Sequence, residues 1–222
     1  LTSTGGATPS LSVDAAQGGI TSLGTLTALN VSGDVTLEAL YPTGTGNLFL
    51  GELSGGSAVD ATAQYNTGVG NGALSAVTTA TFNTAVGAAA LQSLTTGTNN
   101  VAVGGGALYA NTTASHNTAV GYRALKANTT GANNTAVGYV ALKGLTSGES
   151  NTAVGRSAMT GVVTGDNNTA VGYGSGAAIT SGITNVAVGH NALKANTTGS
   201  ANTSLGQDSL QAEVTGEGNV AV

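Results

Sequence analysis

The sequence predicts an all-β protein, built as a parallel β-roll or β-solenoid of seventeen-residue coils. Three observations predict it: a seventeen-residue repeat without insertions, a short β-prone stretch opening each copy, and a glycine directly after that stretch. "NTAVGYRALKANTTGAN" at residues 117–133 is followed at once by "NTAVGYVALKGLTSGES" at residues 134–150. Helical repeats need about 33 residues for two helices and a turn, so this period excludes them.

Each copy opens with asparagine and has glycine at its fifth position. The asparagines recur every seventeen residues, and a looser copy at residues 47–51 precedes them by nineteen. Such strict spacing predicts a stack of equivalent coils whose strands pair in parallel. The complete copies carry Asn66 and Gly70, Asn83 and Gly87, Asn100 and Gly104, Asn117 and Gly121, Asn134 and Gly138, Asn151 and Gly155, Asn168 and Gly172, Asn185 and Gly189, and Asn202 and Gly206, before Asn219 opens a further copy.

Within a coil, strand alternation places the second and fourth residues on one face and the first and third on the other. We expect the second-position Thr or Val and the fourth-position Val to point inward, where the ninth-position Leu meets them from a second short strand. The fifth-position Gly turns the corner in a conformation that other residues resist. Thr-Thr-Gly at the thirteenth to fifteenth positions, as at residues 129–131, predicts the return turn.

The asparagine column predicts a ladder of side-chain amides, for which we considered two roles: a ligand-binding row, or satisfaction of turn backbone groups. The small third-position residues are then expected to face outward as an apolar stripe. Because small side chains let backbones approach closely, this stripe predicts self-association of three chains. The proposed trimer interface comprises Ala119, Ala136, Ala153, Ala170 and Ala187.

The chain is expected to have three parts. Residues 1–46 read as short strands joined by Gly and Ser turns, a β shaft-like segment; residues 47–65 form a first, looser coil; residues 66–222 form the roll. The sequence stops four residues into a coil without a polar cap, and solenoid ends normally need one. We therefore expect the native polypeptide to continue, or another module to cover this end.

The pattern N-[TV]-A-V-G-x-x-A-L, over about residues 47–222, resembles two families. It is similar to the head repeats of trimeric autotransporter adhesins, which form left-handed parallel β-rolls in threes. It resembles even more the N-T-A-V-G-Y-x-A-L arrays of bacteriophage tail fibres, since autotransporter heads usually have a shorter repeat. The resemblance implies a homotrimer outside the cell, on the virion surface or on a bacterial cell surface. It also implies other fibre or baseplate proteins as partners, with a host receptor bound through another segment.

Composition excludes several classes of function. The net charge of −5 argues against nucleic acid as a partner, and no apolar run approaches the about 18 residues that span a bilayer. Cysteine is absent, so there is no disulfide framework or thiolate metal site. The basic residues look scattered, without a patch dense enough for a phosphate backbone: Arg123, Lys126, Lys143, Arg156 and Lys194.

Few residues are candidates for catalysis, metal binding or ligand binding. No acidic residue recurs in phase over adjacent coils, so no carboxylate pair for acid/base catalysis is evident. His116 and His190 lie four coils apart, too distant to share a metal within one chain. We expect no enzyme activity, no metal and no cofactor. Tyr122, Tyr139 and Tyr173 share the sixth position, where an aromatic row either binds sugars or covers the roll by stacking.

The sequence therefore favours a structural role: a trimeric segment of an extracellular fibre that spaces or presents a receptor-binding tip. One alternative is a bacterial surface adhesin whose head itself grips a host or a surface. Another is an ice-binding solenoid, suggested by the many threonines. Ice binders usually present a flat T-x-T row, which adjacent threonines on a turn do not supply.

Overall fold

The computed structural model describes residues 46–56, 60 and 62–222 of the chain. The predicted β shaft-like segment at residues 1–46 therefore lies outside the described residues, except for its last residue. The described part is a parallel β-solenoid whose strands form one sheet in sequence order. No helix occurs in these ranges, so the predicted all-β class is confirmed for them.

Eleven short strands make the sheet. They are β1 (Leu48–Leu50), β2 (Thr67–Val69), β3 (Thr84–Val86), β4 (Val101–Val103), β5 (Thr118–Val120), β6 (Thr135–Val137), β7 (Thr152–Val154), β8 (Thr169–Val171), β9 (Val186–Val188), β10 (Thr203–Leu205) and β11 (Val220–Ala221). Every neighbouring pair is parallel; Thr118 lies opposite Thr135, one repeat later. Leu48 lies opposite Thr67 across the nineteen-residue interval, so the first, looser copy pairs with the regular coil that follows it.

Backbone pairing continues through the turns of the coil. The Arg123 N–H donates to Gly105 O at 3.0 Å in the preceding coil, and the Leu125 N–H donates to Ala141 O at 3.0 Å in the following one. Residues 129 and 130 bend the chain, as predicted for the return turn. Coils of equal length can therefore satisfy one another's backbone groups outside the sheet as well.

The corner glycine is confirmed in its predicted role. Gly138 has a φ of 138°, and a Cβ built on it would lie 2.5 Å from Gly155 O in the next coil. Both the left-handed backbone and the close approach of two coils exclude a side chain at this point. The fifth-position glycines of all complete coils have φ between 110° and 139°.

The predicted orientation of the strand is wrong. Ala119 and Ala136 have no exposed surface, whereas Val120 and Val137 are 36% and 37% exposed. The first and third residues therefore point into the coil, and the second and fourth point out. The ninth-position Leu fills the interior of the coil, joined in some coils by a second large side chain such as Leu145, so only a methyl group fits opposite. The proposed interface alanines, Ala119, Ala136, Ala153, Ala170 and Ala187, are all fully buried within their own chain and cannot line a contact between chains.

The ninth-position leucines do lie in the core, as predicted, but they are not on a second strand. Leu125 is fully buried and belongs to a turn, with a φ of 51°. The seventh and seventeenth positions of each coil, such as Arg123 (φ 55°) and Asn133 (φ 60°), are left-handed too. These repeated αL residues curl the chain tightly enough for one Leu to reach the centre. The core of a central coil thus consists of Ala119, Ala124 and Leu125.

Candidate functional site

The asparagine column is a buried ladder along the edge of the core. The Asn134 N–H donates to Asn117 Oδ1 at 2.9 Å, and the Asn134 amide Nδ2 donates to Gly148 O at 2.8 Å in its own coil. Asn134 Oδ1 in turn accepts from Asn151 N at 2.9 Å and from Asn151 Nδ2 at 3.2 Å. Because both ends of each amide are occupied inside the chain, the structural interpretation is confirmed, and these ladder groups are not available to a ligand.

A second set of asparagines, at the twelfth position, supports the return turn. Asn128 Oδ1 accepts from Gly131 N at 3.0 Å, and its Nδ2 donates to Gly131 O at 2.9 Å. Asn196 occupies the same position in a later coil, buried, with neither side-chain polar atom paired. A Cβ built on Gly199 would meet Asn196 Nδ2, where one built on Gly131 would meet Asn128 Oδ1, so the Asn196 amide occupies the equivalent place with its N and O exchanged. Asn196 is therefore a turn residue as well.

The outward side of the sheet carries two columns of uncharged side chains, which we call the Thr/Val face. It consists of the second- and fourth-position residues of β1 to β10, all of them Thr, Val or Leu. The fourth-position valines are between a third and two-fifths exposed from β3 onward, except for the half-buried Val171. This face was expected to be the interior, and strand alternation alone could not show that it is the surface.

The sixth-position aromatic residues form one continuous column. Tyr122 and Tyr139 stack with ring centroids 5.6 Å apart, and Tyr173 stacks on His190 at 5.3 Å. Arg156 bridges the two pairs, with its guanidinium carbon 5.8 Å from the Tyr139 ring and 5.6 Å from the Tyr173 ring. The column supports the stacking interpretation, and the three tyrosines are nevertheless about half exposed. His116 lies elsewhere, with Nε2 3.4 Å from Asn99 Nδ2.

The basic residues are not scattered once the chain is coiled. All five occupy the sixth, seventh or tenth position of a coil between residues 117 and 201, so the stack brings them to the same side. We call the sixth-, seventh- and tenth-position residues from Gly105 to Lys194 the basic turn face; it contains no Asp or Glu. Counting the basic residues in steps of seventeen would have revealed this grouping. The residues are therefore grouped and not scattered, whereas the expectation that they are too sparse for a phosphate backbone stays a prediction.

Two shallow grooves lie on the basic turn face and share Tyr109 and Lys126. The first, about 410 Å³, has Gly105, Gly106 and Tyr122 among its lining residues. The second, about 460 Å³, extends past Lys143 and Gly144. Lys126 Nζ lies 5.8 Å from the Tyr109 ring, and the Arg123 guanidinium carbon lies 4.9 Å from the Tyr122 ring. Glycines in the first groove leave room beside the aromatic rings.

Ion pairing is sparse in the described residues. His190 Nδ1 lies 3.9 Å from Asp208 Oδ1, and no other pair of opposite charges comes within 4.0 Å there. Hydrogen bonds from Gln207 and Asn191 hold the pKa of Asp208 below its usual value. Within the same residues no group of three or more His, Cys, Asp or Glu side chains is placed to hold a metal ion. None of their elements is a helix of membrane-spanning length and hydropathy.

Comparison of the chain with protein-family models, with curated proteins and with solved structures gives no match.

Proposed function

We propose that the chain is a structural segment of an extracellular fibre, a bacteriophage tail fibre whose three copies associate along their Thr/Val faces. In this role it spaces or presents a receptor-binding tip and catalyses no reaction. The observation that carries the proposal is the unbroken uncharged face on the outward side of the sheet. The resemblance of the NTAVG repeat to phage fibre arrays supports the phage origin and the number of copies.

The size of the Thr/Val face favours association. Ten strands about 4.8 Å apart and about 10 Å wide expose a strip of about 450 Å², comparable to the largest apolar patch of an ordinary soluble protein. A stable interface buries about 800 Å² on each partner, so the strip alone supplies about half. Three copies around one axis bury the strip of each chain against two neighbours and add the flanking turns to the interface.

The test is the assembly state of the chain and of a variant on this face. Val137→Lys places an ammonium group at the centre of the strip, and three such groups would meet around the axis. We expect a trimer for the unaltered chain by native mass spectrometry at micromolar concentration, and a monomer for Val137→Lys. The matched control is Thr130→Lys, which adds the same charge to an exposed turn of the preceding coil and should remain trimeric. A monomeric unaltered chain, or a trimeric Val137→Lys, would refute the interface.

One observation favours ice binding as a second candidate. Threonine faces outward at the second position of seven strands, beside a column of valines on the same sheet. The paired threonines of the turn supply no T-x-T row, whereas the strand threonines form a regular outward column. Thermal hysteresis of a monomeric chain would assign the Thr/Val face to ice. A trimer without hysteresis would assign it to self-association.

The phage assignment has a separate test. Genes for capsid and baseplate proteins beside the coding sequence would support a tail fibre. A heptad stalk and membrane anchor on the same polypeptide would instead support the bacterial adhesin.

A further inference from the structure

The basic turn face concentrates positive charge in a way that the fold does not require. Lys126 and Lys143 lie one coil apart in the same column, about 4.8 Å apart at the backbone. Like charges placed directly opposite across neighbouring strands destabilise a sheet, and the same reasoning applies to stacked turns. Neither lysine nor Arg123 has a carboxylate within 4.0 Å among the described residues. The cation–π contacts of Lys126 and Arg123 stabilise these side chains, but no carboxylate neutralises their charge, so the face is suited to binding an anion.

The aromatic residues stand beside these cations in open grooves. Tyr109 is about two-fifths exposed and belongs to both grooves. Tyr122 closes the first groove, because the preceding residues of its column are Gly105 and Ala88; a Cβ on Gly105 would lie 3.5 Å from the Tyr122 ring. Both grooves are wide and shallow, and they adjoin along the direction of the stack. Such a shape suits an extended chain better than a compact small molecule.

We infer that the paired grooves around Tyr109, Tyr122, Lys126 and Lys143 bind an acidic polysaccharide. The C–H faces of its sugar rings pack on the tyrosine rings, whose faces carry partial negative charge. Its carboxylate or sulfate groups meet the ammonium groups of the two lysines and the guanidinium group of Arg123. This function goes beyond the structural role of the fibre and does not depend on it.

A single-stranded nucleic acid is the other polyanion that seeks aromatic and basic groups. Its successive bases need successive ring faces on which to stack, but one face of Tyr122 is already covered by Tyr139, with an angle of 18° between their planes. A sugar ring needs only one exposed aromatic face, which Tyr109 and Tyr122 offer, and this favours the sugar polymer.

The experiment measures binding of the full chain to defined polymers by isothermal titration calorimetry at low salt. The probes are polygalacturonate for carboxylates, dextran sulfate for sulfates, neutral dextran and a thirty-nucleotide oligothymidylate. We expect binding to at least one acidic polysaccharide, weakening as salt increases because exposed charges are screened. We expect none to dextran and weaker or no binding to the oligonucleotide. Failure to bind either acidic polysaccharide, or tighter binding of the oligonucleotide, would overturn the inference.

Two variants and one control distinguish a specific binding site from nonspecific electrostatic attraction. Lys126→Gln combined with Lys143→Gln should weaken binding at least tenfold, and so should Tyr109→Ala. Lys194→Gln removes a charge from the same tenth position outside both grooves, and it should change affinity less than twofold. An equal loss in Lys194→Gln and in the double lysine variant, or full affinity in Tyr109→Ala, would mean that charge alone attracts the polymer and would refute the site.

Assembly is measured on the same samples, so this test and that of the fibre are separable. All groove variants should keep the assembly state of the unaltered chain by native mass spectrometry. A monomeric chain that binds polygalacturonate would refute the trimer and retain the groove. A trimer that binds neither acidic polymer would refute the binding groove and retain the trimeric fibre.

Discussion

Asn151 N donates to Asn134 Oδ1 at 2.9 Å, so a backbone group of each coil is completed by a side chain of the coil before it. The same bond joins Asn83 to Asn66 and Asn202 to Asn185. Both members of each pair are fully buried. Each coil therefore supplies a hydrogen-bond acceptor to the backbone of the next coil, and the loss of one side-chain amide affects two coils.

Asn134→Ala should destabilise the solenoid by about 3–5 kcal/mol. The change leaves the buried Asn151 N–H and Gly148 O without their partners, and each buried unsatisfied polar group costs about 1–3 kcal/mol. Asn71→Ala is the control, since Asn71 is exposed and bonds only to Glu52 through its side chain. We expect less than about 0.5 kcal/mol there. Urea unfolding of both variants measures the difference, and equal midpoints would contradict the role of the ladder.

Gly138→Ala should cost more than about 3 kcal/mol, although it adds only one methyl group. The added Cβ would clash with backbone atoms of Gly155, which cannot move without separating two coils, and the φ of 138° is unfavourable for alanine. Gly106→Ala provides the comparison. Gly106 has a φ of 64°, and its added Cβ would meet only Arg123 Cγ at 3.5 Å, so about 1 kcal/mol is expected. If thermal unfolding shows the same loss for both, crowding between coils is not what selects the corner glycine.

Val140→Asn should stabilise the chain by about 0.5–1 kcal/mol. Val140 has a φ of 53°, which a β-branched residue adopts only under strain. The equivalent position holds Asn191 at 54° in a later coil. Val162→Asn is the control, because Val162 is well exposed and does not have a positive φ. An increase in melting temperature confined to Val140→Asn is the expected result. A decrease would mean that the Val140 side chain contributes more by packing than its backbone loses by strain.

Ala136→Leu should destabilise the coil itself. Ala136 is fully buried beneath the Leu column, and overpacking a tight core site typically costs about 1–3 kcal/mol. We expect the urea midpoint of Ala136→Leu to fall in every assembly state, including a monomer produced by Val137→Lys. If Ala136→Leu changes only the mass of the assembly and leaves unfolding of the monomeric background unaltered, the alanine faces a partner after all.

Much of the architecture follows from the amino-acid sequence alone. A seventeen-residue period without insertions allows each backbone group to meet its equivalent in the next coil, which leads to parallel strands such as β5 beside β6. Glycine at every fifth position indicates a backbone that other residues avoid, and the observed φ values agree. The repeated asparagine, which bonds best to local backbone groups, was correctly interpreted as a structural ladder.

Only the tertiary structure decided which side of each strand is the interior. Alternation places Ala136 and Val137 on opposite faces of the strand but does not show which face is buried. Hydrophobic size alone favours Val137 as the core residue. In the folded coil, Leu142 reaches the interior from a left-handed turn and shares it with Leu145, so the small Ala136 is the strand residue that fits. The grouping of Lys126 with Lys143 likewise depends on coiling, because residues far apart along the chain become neighbours only when the coils are stacked. The seventeen-residue period can be read from the sequence. Which strand residues are buried and which are exposed depends on the volume that one coil encloses.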